Sequence, residues 1–140
     1  MSNIAVVYWS GTGNTEAMAN AVVEGAKNAG ANVKAYTAAE FSASMVDDFD
    51  AIAFGCPAMG AEVLEEDEFE PMFSDCQSKL SGKKIALFGS YGWGDGEWMR
   101  NWEDTCRSAG AVLACDSVIC QDAPDDDGEA DCCSLGAALA

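Results

Sequence analysis

The sequence predicts an α/β protein in which a parallel sheet is covered on both faces by helices. Residues 4–8 and 51–54 are continuous apolar runs, and residues 84–89 form another after Lys84; such runs are typical of strands buried on both faces. Segments with helical spacing of apolar residues follow these runs, and alternation of this kind favours a three-layer αβα sandwich. No linker or internal repeat divides the chain, so residues 1–140 are predicted to form one domain.

The remaining elements complete five strands alternating with five helices. Two further strands are expected over residues 32–36 and 111–119; the first alternates Val33 and Ala35 against Lys34 and Tyr36, as an edge strand would. Helices are expected over residues 14–29, 41–49, 68–80, 97–109 and 129–139. Gly30 ends the first helix, and Pro71 fits only the first turn of the third.

The charge balance argues against several classes of function. Seven Lys and Arg residues stand against 24 Asp and Glu residues, which gives a net charge of −17, and the chain has no histidine. A surface that binds nucleic acid or an anionic membrane needs clustered cations, which are missing here. Without histidine, Ser-His-Asp hydrolysis and histidine-ligated zinc are excluded. Partners with basic patches are the expected counterparts of such a field.

The seven cysteines form no C-x-x-C pair, and no metal site is predicted from them. The first residues lack the basic and long apolar regions of a signal peptide, and the longest apolar runs have only strand length. We therefore expect a cytoplasmic protein with reduced thiols and no membrane span.

A ligand site is predicted beyond the carboxyl ends of the strands, where open parallel sheets bind their ligands. Residues 10–15, Ser-Gly-Thr-Gly-Asn-Thr, join the first strand to the first helix. Backbone amides at a helix N-terminus suit a phosphate. The loop has no Lys or Arg, and Glu16 replaces the third glycine of a dinucleotide fingerprint. These features favour one phosphate monoester held by neutral donors.

Two other occupants of such a fold do not match the sequence. A receiver domain needs an Asp at the end of the third strand, where this chain has Gly55 and Cys56. A C-x5-R phosphatase loop needs an arginine at a fixed distance after its cysteine, and neither Arg100 nor Arg107 stands there.

Four segments together resemble the short-chain flavodoxins of the clostridial type, in register over nearly the whole chain. They are Tyr8-Trp-Ser-Gly-Thr-Gly-Asn-Thr15, Gly55-Cys-Pro-Ala-Met-Gly60, Glu68-Phe-Glu-Pro-Met-Phe73 and Leu87-Phe-Gly-Ser-Tyr-Gly-Trp-Gly-Asp-Gly-Glu-Trp-Met99. The resemblance implies a sheet of strand order 2-1-3-4-5 and noncovalently bound FMN. It further implies a monomeric carrier that passes single electrons between redox enzymes through semiquinone and hydroquinone states.

The same resemblance assigns cofactor-binding residues and no catalytic ones. Residues 10–15 would hold the FMN phosphate, and Met59 and Trp93 would lie against the two faces of the flavin ring. The Gly60–Ala61 peptide would turn over on reduction, and Glu62 would bond the flavin N3–H. The complete expected set is Ser10, Gly11, Thr12, Gly13, Asn14, Thr15, Pro57, Ala58, Met59, Gly60, Ala61, Glu62, Ser90, Tyr91, Gly92, Trp93, Gly94, Gln121 and Asp122.

Acidic residues are expected to surround the ring and to lower the second one-electron potential. They are Glu62, Glu65, Glu66, Asp67, Glu68, Asp95, Glu97, Asp122 and residues 125–127. Three residues depart from the family pattern: Ala61 stands where some relatives have an acid, and Asp122 and Ala123 replace Asn-Glu.

Two rival functions remain open at this point. An FMN-dependent quinone or NAD(P)H reductase on the same fold would need an open pocket over the ring, which Trp93 would cover. A scaffold without a cofactor would be colourless when purified and indifferent to added FMN.

The Gly60→Ala variant tests the expected peptide turn. Glycine adopts positive φ at little cost, so the added methyl group should destabilise the one-electron-reduced form. The first one-electron potential should then fall and the second should rise. Spectroelectrochemistry measures both potentials. Two unchanged potentials would show that the turn mechanism is wrong.

Overall fold

The computed structural model describes residues 2–11, 13–59, 63–92 and 94–140. The strands are β1 (Asn3–Tyr8), β2 (Asn32–Thr37), β3 (Ala51–Gly55), β4 (Lys84–Tyr91), β5 (Val112–Leu113) and β6 (Val118–Gln121). The helices are α1 (Asn14–Asn28), α2 (Phe69–Gln77), α3 (Glu97–Ser108) and α4 (Asp126–Leu139). Two short 3₁₀ turns, Ala38–Glu40 and Ala43–Asp48, precede β3.

The sheet is parallel and has the order β2-β1-β3-β4, with β5 and β6 both pairing with the free edge of β4. The predicted order 2-1-3-4-5 is therefore confirmed, with β5 and β6 as two pieces of the fifth strand. Connections between neighbouring parallel strands must cross over a face of the sheet, which is why helices cover both faces.

The prediction of one continuous strand over residues 111–119 is wrong. Val112 pairs with Lys84, an offset of 28 residues, whereas Val118 pairs with Phe88, an offset of 30. The chain thus inserts two extra residues at the edge of the sheet. Residues 114–117 span the gap: Ala114 and Cys115 pack against the core, and Ser117 Oγ donates to Glu103 Oε2 of α3 at 2.7 Å. An edge strand tolerates such an interruption because only one of its sides carries ladder hydrogen bonds.

Three other expectations need correction. In place of the predicted helix over 41–49, the structure has the second 3₁₀ turn, Ala43–Asp48. Helix α4 begins three residues early because Asp125 Oδ1 accepts the amide of Gly128 at 2.8 Å and caps the helix. In β2, Ala35 is exposed, and it is the Tyr36 ring that packs onto the core, against Phe41 and Phe49.

The apolar core divides into one cluster on each face of the sheet. One cluster lies under α2 and α3 and is rich in aromatic residues, among them Phe54, Phe73 and Trp102. The other lies under α1 and α4, which come so close that a methyl group on Gly25 or Gly136 would overlap the backbone of the facing helix. Among the described residues, no helix is both long and apolar enough to cross a membrane.

Candidate functional site

The carboxyl ends of the central strands lie side by side and bring the predicted loops together. Tyr8 of β1 pairs with Gly55 of β3, and Gly55 pairs with Phe88 of β4. Backbone hydrogen bonds continue this alignment past the strand ends, from Trp9 N to Gly55 O at 3.0 Å and from Cys56 N to Phe88 O at 3.1 Å. The loops after β1 and β3 therefore start from the same row of the sheet, whereas β4 runs three residues further, to Tyr91, before its loop begins.

The first loop leads into α1 and leaves free amides at its N-terminus. Ser10 Oγ accepts the amides of Gly13 at 3.1 Å and Glu16 at 3.3 Å, which folds the loop back on itself. Gly13 has φ +95°, a conformation that favours glycine. The amides of Asn14 and Thr15 donate to no residue among those described. Such amides, at the positive end of a helix dipole, form a fitting site for an anionic group.

A buried hydroxyl pair joins this loop to the loop after β4. The Thr15 side chain is 1% exposed, and its Oγ1 lies 3.2 Å from Oγ of Ser90, which is 5% exposed. Because one hydroxyl must donate to the other, the pair fixes the start of α1 relative to the end of β4.

The second loop, after β3, is tied to β4 and closed by a backbone bridge. Ala58 N donates to Ser90 O at 3.0 Å. Met59 and Val63 exchange both backbone hydrogen bonds, at 2.9 and 3.1 Å. The predicted residues 60–62 between them lie outside the described residues, as do Thr12 and Trp93.

The loops after β1, β3, β4 and β6 line a cleft of about 240 Å³ at the carboxyl edge of the sheet. Its walls are Trp9, Gly11, Asn14, Pro57, Ala58, Met59, Ser90, Tyr91, Gly92 and Asp122. Every one of these except Trp9 belongs to the predicted set. The predicted residues Ser10, Gly13, Thr15, Gly94 and Gln121 do not line the cleft, although Ser10 and Thr15 hold neighbouring loops in place.

Trp9 is the site residue that the sequence argument missed. Its indole Nε1 donates to Glu68 Oε1 at 3.2 Å, and its ring lies so close to Gly11 that a methyl group there would meet it. Trp9 thus connects the first loop to the segment before α2. The sequence feature that indicates Trp9 as a site residue is its position, directly between a buried strand and a glycine-rich loop.

The fourth loop follows β6 and is held by β4. Asp122 N donates to Tyr91 O at 2.8 Å, and Gln121 Nε2 donates to Gly92 O at 3.4 Å. Asp122 has φ +57°, and it is the one non-glycine residue with positive φ among those described. Asp and Asn tolerate this conformation better than most other residues. The replacement of the family's Asn by Asp122 is therefore compatible with the same backbone conformation.

Not all of the predicted acidic residues face solvent around the cleft. Glu65 is only 5% exposed, and its carboxylate accepts the amides of Asp67, Glu68 and Phe69 at 2.8–2.9 Å. Burial alone would raise the pKa of Glu65, but the three backbone donors outweigh it and lower that pKa below its usual value. Asp95 forms an ion pair with Arg100 at 3.0 Å. Asp95 is exposed despite this ion pair, as are the other described members: Glu66, Asp67, Glu68, Glu97, Asp122 and residues 125–127.

The cysteines form no disulfide, and burial keeps four of them in the thiol form rather than the reactive thiolate. Burial raises the pKa of Cys56, Cys106 and Cys132 to about 12 and that of Cys76 to about 11. Cys115, Cys120 and Cys133 are half-buried. Among the described residues, no group of three Cys, Asp or Glu side chains is placed to hold a metal ion.

Taken together, the fold and the cleft define a doubly wound α/β domain with a ligand site at its topological switch point. The model of the Flavodoxin family matches residues 6–136. The chain belongs to the flavodoxin family, and it is an electron-transfer flavoprotein rather than an enzyme.

Individual relatives match over nearly their full length. The flavodoxin of Clostridium beijerinckii is 45% identical over 96% of this chain and 97% of its own. That of Megasphaera elsdenii is 46% identical over 98% of both chains. The solution structure of two-electron reduced Megasphaera elsdenii flavodoxin superimposes with a TM-score of 0.90, covering 97% of each chain.

The burial of the thiols predicts which cysteines react first. A thiolate is the nucleophile in alkylation, so iodoacetamide at pH 8 should modify Cys115, Cys120 and Cys133 at least about tenfold faster than the four buried cysteines. Peptide mass spectrometry of the native protein over a time course gives the rates, with protein in denaturant as the control. Labelling of Cys56 or Cys132 as fast as Cys133 would contradict this order.

Proposed function

We propose that the cleft binds FMN and that the protein is a low-potential one-electron carrier. The observation that carries the proposal is the first turn of α1, where the free amides of Asn14 and Thr15 adjoin the cleft. A phosphate monoester supplies the acceptors that these amides lack. The same loop has no cation for a larger phosphate chain, and this favours FMN over a nucleoside triphosphate.

The flavin ring would lie in the cleft between the loops after β3 and β4. Met59 and Tyr91 contribute apolar walls there, and a thioether packs well against a flat aromatic ring. Trp93 is proposed for the opposite face of the ring, Gly60 and Ala61 for the peptide that turns over, and Glu62 for the flavin N3–H. A bound flavin supplies reversible one-electron chemistry, and the residues of the chain orient it and exclude water.

The exposed acids near the cleft support the assignment of a low potential. One negative charge about 10 Å from an anionic flavin costs roughly 1.7 kcal/mol at an effective dielectric near 20. For a one-electron couple this corresponds to about 70 mV. Solvent screens exposed charges, so several carboxylates act together rather than one alone.

The same acids would orient redox partners that carry basic patches. Complementary charge raises the rate of encounter and fixes its geometry more than it raises affinity. With seven unpaired thiols, we assign the protein to the cytoplasm, where thiols stay reduced. It would act there as a monomer.

An anaerobic dithionite titration of the FMN-reconstituted protein tests the proposal. We expect a blue one-electron-reduced form that accumulates to a high fraction and bleaches only at low potential, together with negligible oxidation of NAD(P)H. Direct passage from yellow to colourless would favour two-electron chemistry and the quinone reductase alternative. Failure of the apoprotein to take up FMN would overturn both.

The Asp122→Asn variant tests the electrostatic effect on the potential. Asn removes one negative charge from the wall of the cleft and tolerates φ +57°. The lower of the two one-electron potentials should rise by about 20–40 mV, and this rise should shrink as salt is added.

The matched control for this variant is Asp48→Asn. Asp48 is exposed and ends the 3₁₀ turn Ala43–Asp48, three residues before β3 begins at the amino end of the sheet. The Asp48→Asn variant should leave the lower one-electron potential within about 10 mV of wild type, because salt screens the interaction between distant charges. Equal shifts in both variants would mean that net charge, rather than the position of Asp122, sets the potential.

A further inference from the structure

Glu65 uses nearly all of its polar atoms to join the start of α2 to the end of β3. Its carboxylate accepts the amides of Asp67, Glu68 and Phe69 at 2.9, 2.8 and 2.9 Å. Its own amide donates to Cys56 Sγ at 3.3 Å. Its carbonyl oxygen accepts the amide of Glu70 at 2.8 Å. Neighbouring acids of the same sequence run, such as Glu66, are exposed and make no such contacts.

The other end of this connection is fixed to the sheet. Cys56 N donates to Phe88 O, and Cys56 O accepts the indole Nε1 of Trp98 at 3.2 Å. Cys56 is fully buried. The contact between Glu65 and Cys56 therefore closes the base of the segment 57–64, which carries Met59 and leads through residues 60–62.

Side-chain packing holds the same segment only in part, through Ala58 and Leu64, which pack against the core. A groove of about 540 Å³ between α2 and α3 runs alongside Val63, Leu64 and Glu66. Val63 is 40% exposed. Buried hydrogen bonds to a charged carboxylate are stronger than neutral ones, so the three bonds to Glu65 are a strong constraint on this half of the loop, beside the backbone bridge between Met59 and Val63.

We propose that Glu65 is a positioning residue for the flavin ring. It does not touch the cofactor; it anchors the chain after Val63 to Cys56 and to the start of α2. The backbone bridge between Val63 and Met59 passes this constraint to the wall of the cleft, so that the wall exists before the cofactor binds. A preformed wall raises affinity because the loop has less freedom to lose on binding. This inference rests on the proposed function.

The test compares Glu65→Gln with Glu66→Gln in the apoprotein and with FMN. A glutamine at position 65 has one acceptor oxygen, and its NH₂ group opposes the backbone donors. We expect Glu65→Gln to weaken FMN binding at least about tenfold in fluorescence titrations. Hydrogen exchange of the amides of Asp67, Glu68 and Phe69 in the apoprotein should accelerate by a similar factor.

Glu66→Gln is the charge control. It removes the same negative charge, but from the exposed side chain of the next residue. It should change FMN affinity less than threefold and leave the three amides unaffected. Leu139→Ala is the stability control: Leu139 is 1% exposed in the cluster on the other face of the sheet. It should destabilise the fold while leaving FMN affinity within about threefold of wild type.

The outcomes separate this inference from the proposed function. If wild-type apoprotein binds no FMN, the proposed function fails. If wild type binds FMN and the Glu65→Gln and Glu66→Gln variants are equal, the positioning role alone is wrong. Should Glu65→Gln fail to fold, Glu65→Asp takes its place: it keeps the charge but is too short to reach all three amides, and FMN affinity like that of wild type would overturn the proposal.

Discussion

The parallel pairing of β1, β3 and β4 is the constraint on which the rest of the structure depends. With Tyr8, Gly55 and Phe88 in one row, the loops after β1 and β3 leave the sheet at the same level, beside the last three residues of β4, and the loops must share the space above the sheet. Close packing in that row requires glycine: a methyl group on Gly55 would overlap the Phe88 ring, and one on Gly89 would overlap the Cys56 carbonyl. The cleft is a consequence of this alignment.

The sequence predicted those strands and helices in which the spacing of apolar residues follows one pattern from end to end. Buried central strands such as Ala51–Gly55 are apolar at every position, so their identity does not depend on neighbours. The broken fifth strand could not be predicted in this way. The two extra residues between Leu113 and Val118 are a matter of register against β4, and register at a sheet edge depends on the partner strand and on α3, through Ser117 and Glu103.

The candidate site likewise contains residues that local sequence predicts and residues whose role depends on distant contacts. Residues that project from glycine-rich loops at strand ends, such as Asn14 and Met59, were predicted and line the cleft. Glu65 was predicted as one more acid in the run 65–68, because four adjacent acidic residues look alike in sequence. Only its burial against Cys56 and the N-terminus of α2 separates it from Glu66. Trp9 likewise acquires its role through Glu68, a residue 59 positions away.

The net charge of −17 explains why the proposed phosphate loop relies on short-range donors. A strongly acidic protein repels a phosphate at long range, and no cation in residues 10–15 offsets that repulsion. Backbone amides act only at hydrogen-bond distance, where the charge on the phosphate strengthens them and the helix dipole adds to them. In the proposed function, neutral donors would therefore hold the phosphate, and the carboxylate of Asp122 in the wall of the cleft would disfavour added negative charge on the ring.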